Sequence, residues 1–293
     1  MPPVRTIAVI NQKGGVAKTT TVANLGAALA ARGHDTLLVD LDPQSHLTLH
    51  LGVEPGSRPV SMYNVLTSDT HLAAAIVRLG EHLWLAPAVI DLAAAEVELV
   101  GTVGREQILR DRLRAARVPA ELTLIDCPPS LGLLTLNALS AADDVIIPLQ
   151  PHFLALHGLG KLLETVSLVQ HRINPDLKVL GAILCLYESK ARLSAEVVAD
   201  LRQFLAAAHG GSTPWAQARI FETVIRRNVK LAECPSYGKT IFDYEPSSHG
   251  AQDYQQLADE FLAVVFPPSP AVESLEPAAA DPGAAPQPAE GAS

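Results

Sequence analysis

Short apolar runs alternate with amphipathic stretches along most of this chain. The apolar runs are five to seven residues long and rich in Val, Ile and Leu, as buried strands are. We predict strands over residues 4–10, 36–40, 82–87, 122–126, 144–148 and 178–184. Apolar residues at helical spacing predict helices over residues 20–32, 105–117, 131–141, 156–173 and 194–207. This alternation is typical of an α/β fold with a mainly parallel, doubly wound sheet and helices on both faces.

The periodic pattern stops near residue 265. Residues 266–293 are rich in Pro and Ala and carry four acidic and no basic side chains. Such a composition is typical of segments that cannot bury enough apolar surface to fold. We therefore expect one folded domain over residues 1–265 and a disordered Pro/Ala-rich tail over residues 266–293.

The composition indicates a protein with a large apolar core. Apolar residues make up 48% of the chain and charged residues 18%. No apolar run reaches the ~18–20 residues that cross a bilayer, and the first residues lack a signal-peptide pattern. Cys127, Cys185 and Cys234 are far apart and without C-x-x-C spacing. We expect three reduced thiols and a cytoplasmic location.

The net charge of −9 is unevenly distributed along the chain. Residues 172–239 contain ten basic and six acidic side chains, whereas the rest of the chain is acidic. An acidic protein with one basic segment can bind polyanions on a single face. The alternative is a solvated basic surface without a ligand.

A glycine-containing loop follows the first predicted strand and precedes the first predicted helix. Glycines let backbone N–H groups turn inward, and a helix N-terminus favours anions, so this loop suits a phosphate group. We expect Lys18 to reach the β- and γ-phosphates of a nucleotide and the Thr19 hydroxyl to ligate Mg²⁺. Ala17 stands where the usual P-loop pattern has its second glycine. The candidate nucleotide-binding residues are Lys13, Gly14, Gly15, Val16, Ala17, Lys18, Thr19 and Thr20.

Carboxylates end two of the predicted strands. Asp40 and Asp42 are separated by one residue, so their side chains point the same way in an extended chain. Asp126 ends another apolar strand, as the metal-binding carboxylate of phosphoryl-transfer sites does. Neighbouring Cys127 has no histidine near it in sequence and is expected to be a buried filler.

The loop and the carboxylates together resemble the deviant Walker ATPases, and within them the ParA/Soj family of partition proteins. The resemblance covers residues 5–261, and with so few residues before it we expect the short form without an N-terminal helix-turn-helix domain. It implies an ATPase that uses ATP and Mg²⁺ and forms a homodimer around ATP. In that family the early lysine, here Lys13, reaches the partner subunit's nucleotide. The resemblance implies catalytic roles for Lys13, Lys18 and Asp42, and metal binding by Thr19, Asp40 and Asp126.

Two later segments, residues 187–194 and 224–239, also resemble the family. The positions that correspond to its DNA contacts hold Lys190, Arg226, Arg227 and Lys230. Exposed bases of this kind bind phosphates without sequence preference and in a salt-dependent way. The resemblance therefore implies nonspecific DNA binding on the nucleoid and slow ATP hydrolysis that a ParB-like partner stimulates. Plasmid and chromosome segregation are both compatible with it.

One segment departs from the family pattern. Where the family usually has acidic residues, this chain has His152 and His157. The two histidines are interpreted either as surface residues or as a pH-sensitive or metal-binding pair, and a third metal ligand is not evident.

Three other classes of ATPase share part of this sequence pattern. A related ATPase that positions another cellular cargo shares all of these motifs and stays open. A MinD-like division regulator needs a basic amphipathic helix at its C-terminus, and residues 266–293 have no basic side chain. An electron-transfer ATPase like the nitrogenase iron protein needs paired cysteines for a bridging cluster, which the three cysteines do not provide.

Overall fold

The computed structural model describes residues 4–116, 118, 120–152, 155–188 and 192–267, without the side chains of residues 155–157, 192 and 193. Lys190, the side chain of His157 and the tail beyond residue 267 therefore lie outside the described residues. Within the described residues, none of the helices is both long and apolar enough to cross a bilayer.

The described residues form a nine-stranded sheet in the order β3-β4-β2-β5-β1-β6-β7-β8, with β9 also paired to β7. Only the pair β3–β4 is antiparallel. The mainly parallel sheet is as predicted from the sequence. The strands are β1 Arg5–Val9, β2 Thr36–Asp40, β3 Val77–Arg78, β4 Leu83–Ala86, β5 Leu122–Asp126, β6 Asp144–Leu149, β7 Lys178–Tyr187, β8 Arg219–Ile220 and β9 Ile225–Arg226.

Helices connect the strands, and all five predicted helices are present with small shifts of their ends. The one predicted over residues 105–117 is a 3-10 turn at Arg105–Gln107 followed by an α-helix that ends at Ala115. Further 3-10 turns are Leu72–Ala74, Leu99–Gly101 and Cys234–Tyr237. The α-helices are α1 Lys18–Ala30, α2 His46–His50, α3 Met62–Thr67, α4 Leu92–Glu98, α5 Ile108–Ala115, α6 Leu133–Ala141, α7 Ala155–Arg172, α8 Arg192–Ala208, α9 Val229–Glu233, α10 Ile241–Tyr244 and α11 His249–Val265.

Each face of the sheet is covered by its own apolar cluster. Ile7 and Val9 of β1 pack with α1 and α11 on one face, whereas Ala8 packs with α5, α6 and α7 on the other. This alternation follows from the period of two residues in a strand. Ile7, Ala8 and Val9 are fully buried between the two faces, which explains why this part of β1 is a continuous apolar run.

The carboxyl ends of the central strands meet at one edge of the sheet. Asp40 at the end of β2 and Val9 at the end of β1 both lie opposite Asp126 at the end of β5. The glycine-containing loop leaves β1 at this edge, and ligands of open α/β sheets bind outside the carboxyl ends of strands. The register thus brings the loop and the predicted carboxylates together.

Candidate functional site

The loop between β1 and α1 exposes its backbone at a helix N-terminus. Gly15 has φ 72° and Ala17 has φ 71°, both in the left-handed region. A left-handed alanine costs about 1 kcal/mol or more, and backbone strain of this kind is concentrated at functional sites. Ala17 caps α1 without a side-chain hydrogen bond, and the first turn has no acidic residue. The N–H groups of this turn are therefore suited to an anion.

Lys18 extends its ammonium group back along the loop. Its Nζ donates to the carbonyl oxygen of Lys13 at 3.2 Å, and the residue is only 7% exposed. Burial lowers the pKa of Lys18, while the charges of Asp126 and Asp42 act in the opposite direction. A desolvated cation at the centre of a loop is placed to neutralise a bound phosphate.

Thr19 and Asp126 are in direct contact beneath the loop. The Thr19 hydroxyl donates to Asp126 Oδ2 at 2.7 Å, and the buried Asp126 Oδ1 has no hydrogen-bond partner among the described residues. Burial raises the pKa of Asp126 well above its usual range, and the charge of Asp40 raises it further. Mg²⁺ is usually held by one or two protein oxygens, with phosphate and water completing its shell. A hydroxyl beside an unpartnered carboxylate oxygen fits that requirement.

Asp40 is hydrogen-bonded within its own segment. Its Oδ2 accepts from the backbone N–H and the hydroxyl of Thr48 at 2.9 and 2.7 Å, and its Oδ1 accepts from the N–H of Asp42 at 3.1 Å. Burial raises the pKa of Asp40 to about 7. These bonds attach the end of β2 to α2. The metal-binding role expected for Asp40 stays a prediction.

Asp42 lies beside the loop and faces the same cleft. Its Oδ1 accepts from the backbone N–H of Gln44 at 2.9 Å, and the residue is 8% exposed. The bond fixes the carboxylate in one orientation, and Oδ2 accepts no hydrogen bond from the described residues. A fixed carboxylate facing the phosphate loop can orient a water molecule.

Lys13 is exposed, and its side chain contacts a residue that follows β6. Its backbone N–H donates to Asn11 Oδ1 at 3.0 Å, and its Nζ contacts Nε2 of His152. Burial and the charge of Lys13 lower the pKa of His152. No group of three or more His, Cys, Asp or Glu side chains that suits a metal occurs in the described part of the chain. The contact gives His152 a neighbour that the sequence did not predict.

A cleft of about 570 Å³ joins the loop to two further elements. α2 contributes His46, Leu49 and His50, and the 3-10 turn at Cys234–Tyr237 contributes two side chains. Sequence reasoning missed these residues, because spacing along the chain does not indicate that α2 and this turn lie together. The lining residues are Gly14, Gly15, Ala17, Lys18, Thr19, Thr20, Asp42, Gln44, His46, Leu49, His50, Pro129, Pro235 and Ser236.

The predicted DNA-binding bases lie on or near β9 and α9, and each described one has an acidic partner. Arg226 makes a two-pronged ion pair with the buried Asp253 of α11, the shortest contact being 2.5 Å. Arg227 Nε lies 2.7 Å from Glu188 Oε1, and Lys230 Nζ lies 2.9 Å from Glu233 Oε2.

These bases differ in how much of the side chain reaches solvent. The Arg227 side chain is 59% exposed, against 43% for Arg226 and 45% for Lys230. Exposed ion pairs open easily because water and salt screen them. Arg227 is therefore the most available cation of the three.

The chain is similar to known proteins over most of its length. A family model described as an AAA domain matches residues 4–179. The sporulation initiation inhibitor protein Soj of Bacillus subtilis is 44% identical over 258 residues, which cover 88% of this chain and 98% of that protein. The chromosome partitioning protein ParA of Myxococcus xanthus is 42% identical over 267 residues, or 91% of this chain and 90% of that protein.

Solved structures agree with the fold and with a nucleotide site. A Mycobacterium smegmatis protein named cobyrinic acid a,c-diamide synthase, solved with ADP and magnesium, is 43% identical with a TM-score of 0.74. The match covers 89% of this chain and 95% of that one. MinD of Pyrococcus horikoshii, solved with Mg-ADP, is 24% identical with a TM-score of 0.69, over 90% of this chain and 98% of that one. At that identity the MinD match supports the fold alone.

Proposed function

The chain belongs to the ParA/Soj family of partition ATPases, and we propose that it is the ATPase of a DNA segregation system. It binds ATP with Mg²⁺, dimerises around the nucleotide, and binds DNA nonspecifically on the nucleoid in the cytoplasm. A ParB-like partner then stimulates its slow hydrolysis of ATP. The observation that carries this proposal is the convergence of Lys18, Thr19 and Asp42 on one cleft beside the phosphate loop, with Asp126 hydrogen-bonded to Thr19 directly behind it.

Each residue at this site has its own role in the proposed phosphoryl transfer. Backbone N–H groups at the start of α1 and the ammonium of Lys18 bind the phosphates and stabilise the charge that develops during transfer. Asp42 orients the attacking water in line with the bond that breaks. Thr19 and Asp126 would hold Mg²⁺, which neutralises charge between the phosphates when bound. The fit rests on the unpartnered buried oxygen of Asp126.

The dimer in this proposal rests on the position of Lys13. Its side chain is exposed and directed toward His152, whereas Lys18 occupies the centre of its own loop. An exposed, flexible lysine at the rim of an anion site can exchange its contact with His152 for one to a second nucleotide. We infer that Lys13 contacts the partner subunit's ATP, so that the two sites are completed only in the dimer.

DNA binding is assigned to Arg227 and Lys230, with Lys190 as a further candidate outside the described residues. Both described side chains are about half exposed and lie on one groove with His249. Phosphate contacts from such bases supply nonspecific, salt-dependent affinity. Arg226 contributes less to it, because Asp253 offsets its charge.

ATP-dependent DNA binding tests this assignment directly. We expect Lys18→Ala to abolish it, because ATP-bound dimers no longer form. Arg227→Ala should weaken binding by about tenfold while ATP turnover without DNA stays unchanged. Arg202→Ala is the matched control, since Arg202 is 64% exposed and only distantly paired. Co-sedimentation with DNA of mixed sequence is the measurement. Unchanged binding in both Lys18→Ala and Arg227→Ala would disprove the proposal.

The similarity to a protein named cobyrinic acid a,c-diamide synthase makes ATP-dependent amidation a second candidate. The two functions differ in what accelerates ADP formation. We expect DNA together with a ParB-like protein to accelerate it, and cobyrinic acid with glutamine or ammonia to have no effect. Acceleration by cobyrinic acid alone with its nitrogen donor would favour the amidation reaction.

A further inference from the structure

A carboxylate from α4 lies against the loop that follows β5. Glu96 Oε1 accepts a hydrogen bond from the backbone N–H of Leu134, at 3.4 Å. Leu134 is in the first turn of α6, where Gly132 is the N-cap and supplies no side-chain acceptor. N–H groups in a first helical turn have no partner within the helix, and a carboxylate there is also favoured by the helix dipole. Glu96 therefore caps α6 from a different helix.

The space around Gly132 gives an independent indication of the same contact. A Cβ at Gly132 would lie 2.1 Å from Oε1 and 3.0 Å from Cδ of Glu96. Gly132 has φ −82°, which any residue adopts without strain. The glycine is thus needed for the approach of the carboxylate and not for the backbone conformation.

The loop held in this way forms a wall of the nucleotide cleft. Residues 127–132 connect Asp126 to α6, and Pro129 lines the cleft together with Lys18. Cys127 is fully buried at one end of the loop. At the other end, the Thr135 hydroxyl donates to the carbonyl oxygen of Ser130 at 2.6 Å. Among the described residues, the hydrogen bond to Glu96 is the only one that joins a side chain of α4 to this end of the loop.

We propose that Glu96 is a positioning residue for ATP hydrolysis, which fixes the loop 127–132 beside the reacting phosphates. The inference rests on the proposed hydrolysis in this cleft. Glu96 lines neither the cleft nor the phosphate loop, so it acts through the loop and not on ATP. Small displacements of groups around a reacting centre lower the rate much more than they lower ground-state binding. Nucleotide affinity depends instead on the loop 13–20.

Steady-state ATP hydrolysis separates these two effects. We expect Glu96→Ala to lower kcat by about tenfold and to change KM by less than about twofold. Glu96→Gln keeps an oxygen acceptor for the Leu134 N–H and should recover most of the lost rate. Glu98→Ala is the control, because Glu98 lies on the same helix and accepts from Tyr63, away from the loop. Its kcat should equal that of the natural protein.

A second variant reaches the same contact from the other side. The atoms that a Cβ at Gly132 would meet are the far end of a flexible side chain, so Gly132→Ala displaces the Glu96 carboxylate while the fold is kept. Gly132→Ala should lower kcat as much as Glu96→Ala, and the double variant should be no slower than either. If Glu96→Ala does not fold, the comparison of Gly132→Ala with Glu96→Gln provides the test.

Three results would overturn the inference: a natural kcat in Glu96→Ala, losses that multiply in the double variant, or an equal loss in Glu98→Ala. Lys18→Ala distinguishes this failure from a failure of the proposed function. If hydrolysis survives Lys18→Ala, the reaction does not take place in this cleft. If Lys18→Ala abolishes hydrolysis and Glu96→Ala leaves it intact, only the role of Glu96 is wrong.

Discussion

Arg226 and Arg227 are adjacent in the chain but have different kinds of partner. Arg226 neutralises Asp253, whose side chain is only 3% exposed, and Arg227 pairs with the exposed Glu188. Asp253 also accepts from the backbone N–H of Arg226, so this contact joins β9 to α11. The resemblance predicted both arginines as DNA contacts, which stays a prediction, and an acidic partner 27 residues away depends on the fold and is not evident from local sequence.

This difference predicts unequal effects of two alanine substitutions on stability. Arg226→Ala leaves a buried carboxylate without its cation and should lower the free energy of unfolding by about 2 kcal/mol, allowing for the partial exposure of Arg226. Arg227→Ala should change it by less than about 0.5 kcal/mol, because exposed pairs contribute little. Urea unfolding of the two variants measures both values. Equal destabilisation by the two substitutions would contradict this account.

His50 makes stability depend on pH. Burial lowers the pKa of His50 from 6.5 to about 4. As the pH falls, the unfolded chain takes up this proton first, so the folded state loses stability. The contribution of His50 is therefore complete above about pH 6.5 and is lost progressively as the pH falls toward 4.

The loss should be visible in unfolding experiments. Between about pH 7.5 and about pH 5, the natural protein should lose about 2 kcal/mol more than His50→Leu, which has no imidazole to titrate. Substitution of the exposed His209 by Gln is the control and should leave the pH dependence of the natural protein intact. A His50→Leu variant with the same pH dependence as the natural protein would show that His50 does not contribute.

At the scale of elements, α2 and the 3-10 turn at Cys234–Tyr237 are packed backbone against backbone. A Cβ at Gly238 would lie 2.7 Å from the Cα of Gly52, and Gly238 also has φ 62°. His50 Nε2 lies 3.5 Å from Cys234 Sγ in the same contact. Both elements line the nucleotide cleft. Their packing therefore determines the shape of the part of the cleft that lies away from the phosphate loop.

Two glycine substitutions separate backbone strain from close packing. Gly33→Ala introduces strain alone, because Gly33 has φ 83° and no atom within 4 Å of the new Cβ. It should cost about 1 kcal/mol. Gly238→Ala adds a clash with the backbone of Gly52, and should cost about 1–3 kcal/mol more and weaken ATP binding. Urea unfolding and nucleotide titration measure the two effects. Equal costs would mean that the contact between the elements is not tight.

Most of the longer elements were predictable from sequence, and the shortest ones were not. Buried strands such as β5 consist mostly of apolar residues, here Leu122, Leu124 and Ile125, so their position and type were predicted correctly. β8 and β9 are two residues long and exist because they pair with β7. α11 was not predicted. Its buried residues do follow helical spacing, which is a signal for a helix in the sequence: Gly250, Tyr254, Leu257 and Phe261.

At the scale of the whole molecule, the sheet explains why distant motifs form one site. The phosphate loop, Asp42 and Asp126 follow three strands that are neighbours in the sheet, and parallel strands bring their carboxyl ends to one edge. Family resemblance predicted functional roles for these residues, and the structure brings them together. The contributions of α2, Glu96 and the turn at Cys234–Tyr237 required the structure, because packing between elements determines them.

The central claim is that ATP converts this chain into a dimer in which Lys13 serves the partner's nucleotide. Light scattering with Mg²⁺ and a slowly hydrolysed ATP analogue tests it most directly. We predict that the mass rises from the 31.0 kDa of one chain to twice that value. Lys13→Ala should bind the analogue and remain at the mass of one chain. A natural protein that stays monomeric with the analogue, or a Lys13→Ala variant that dimerises as tightly as the natural protein, would contradict the account.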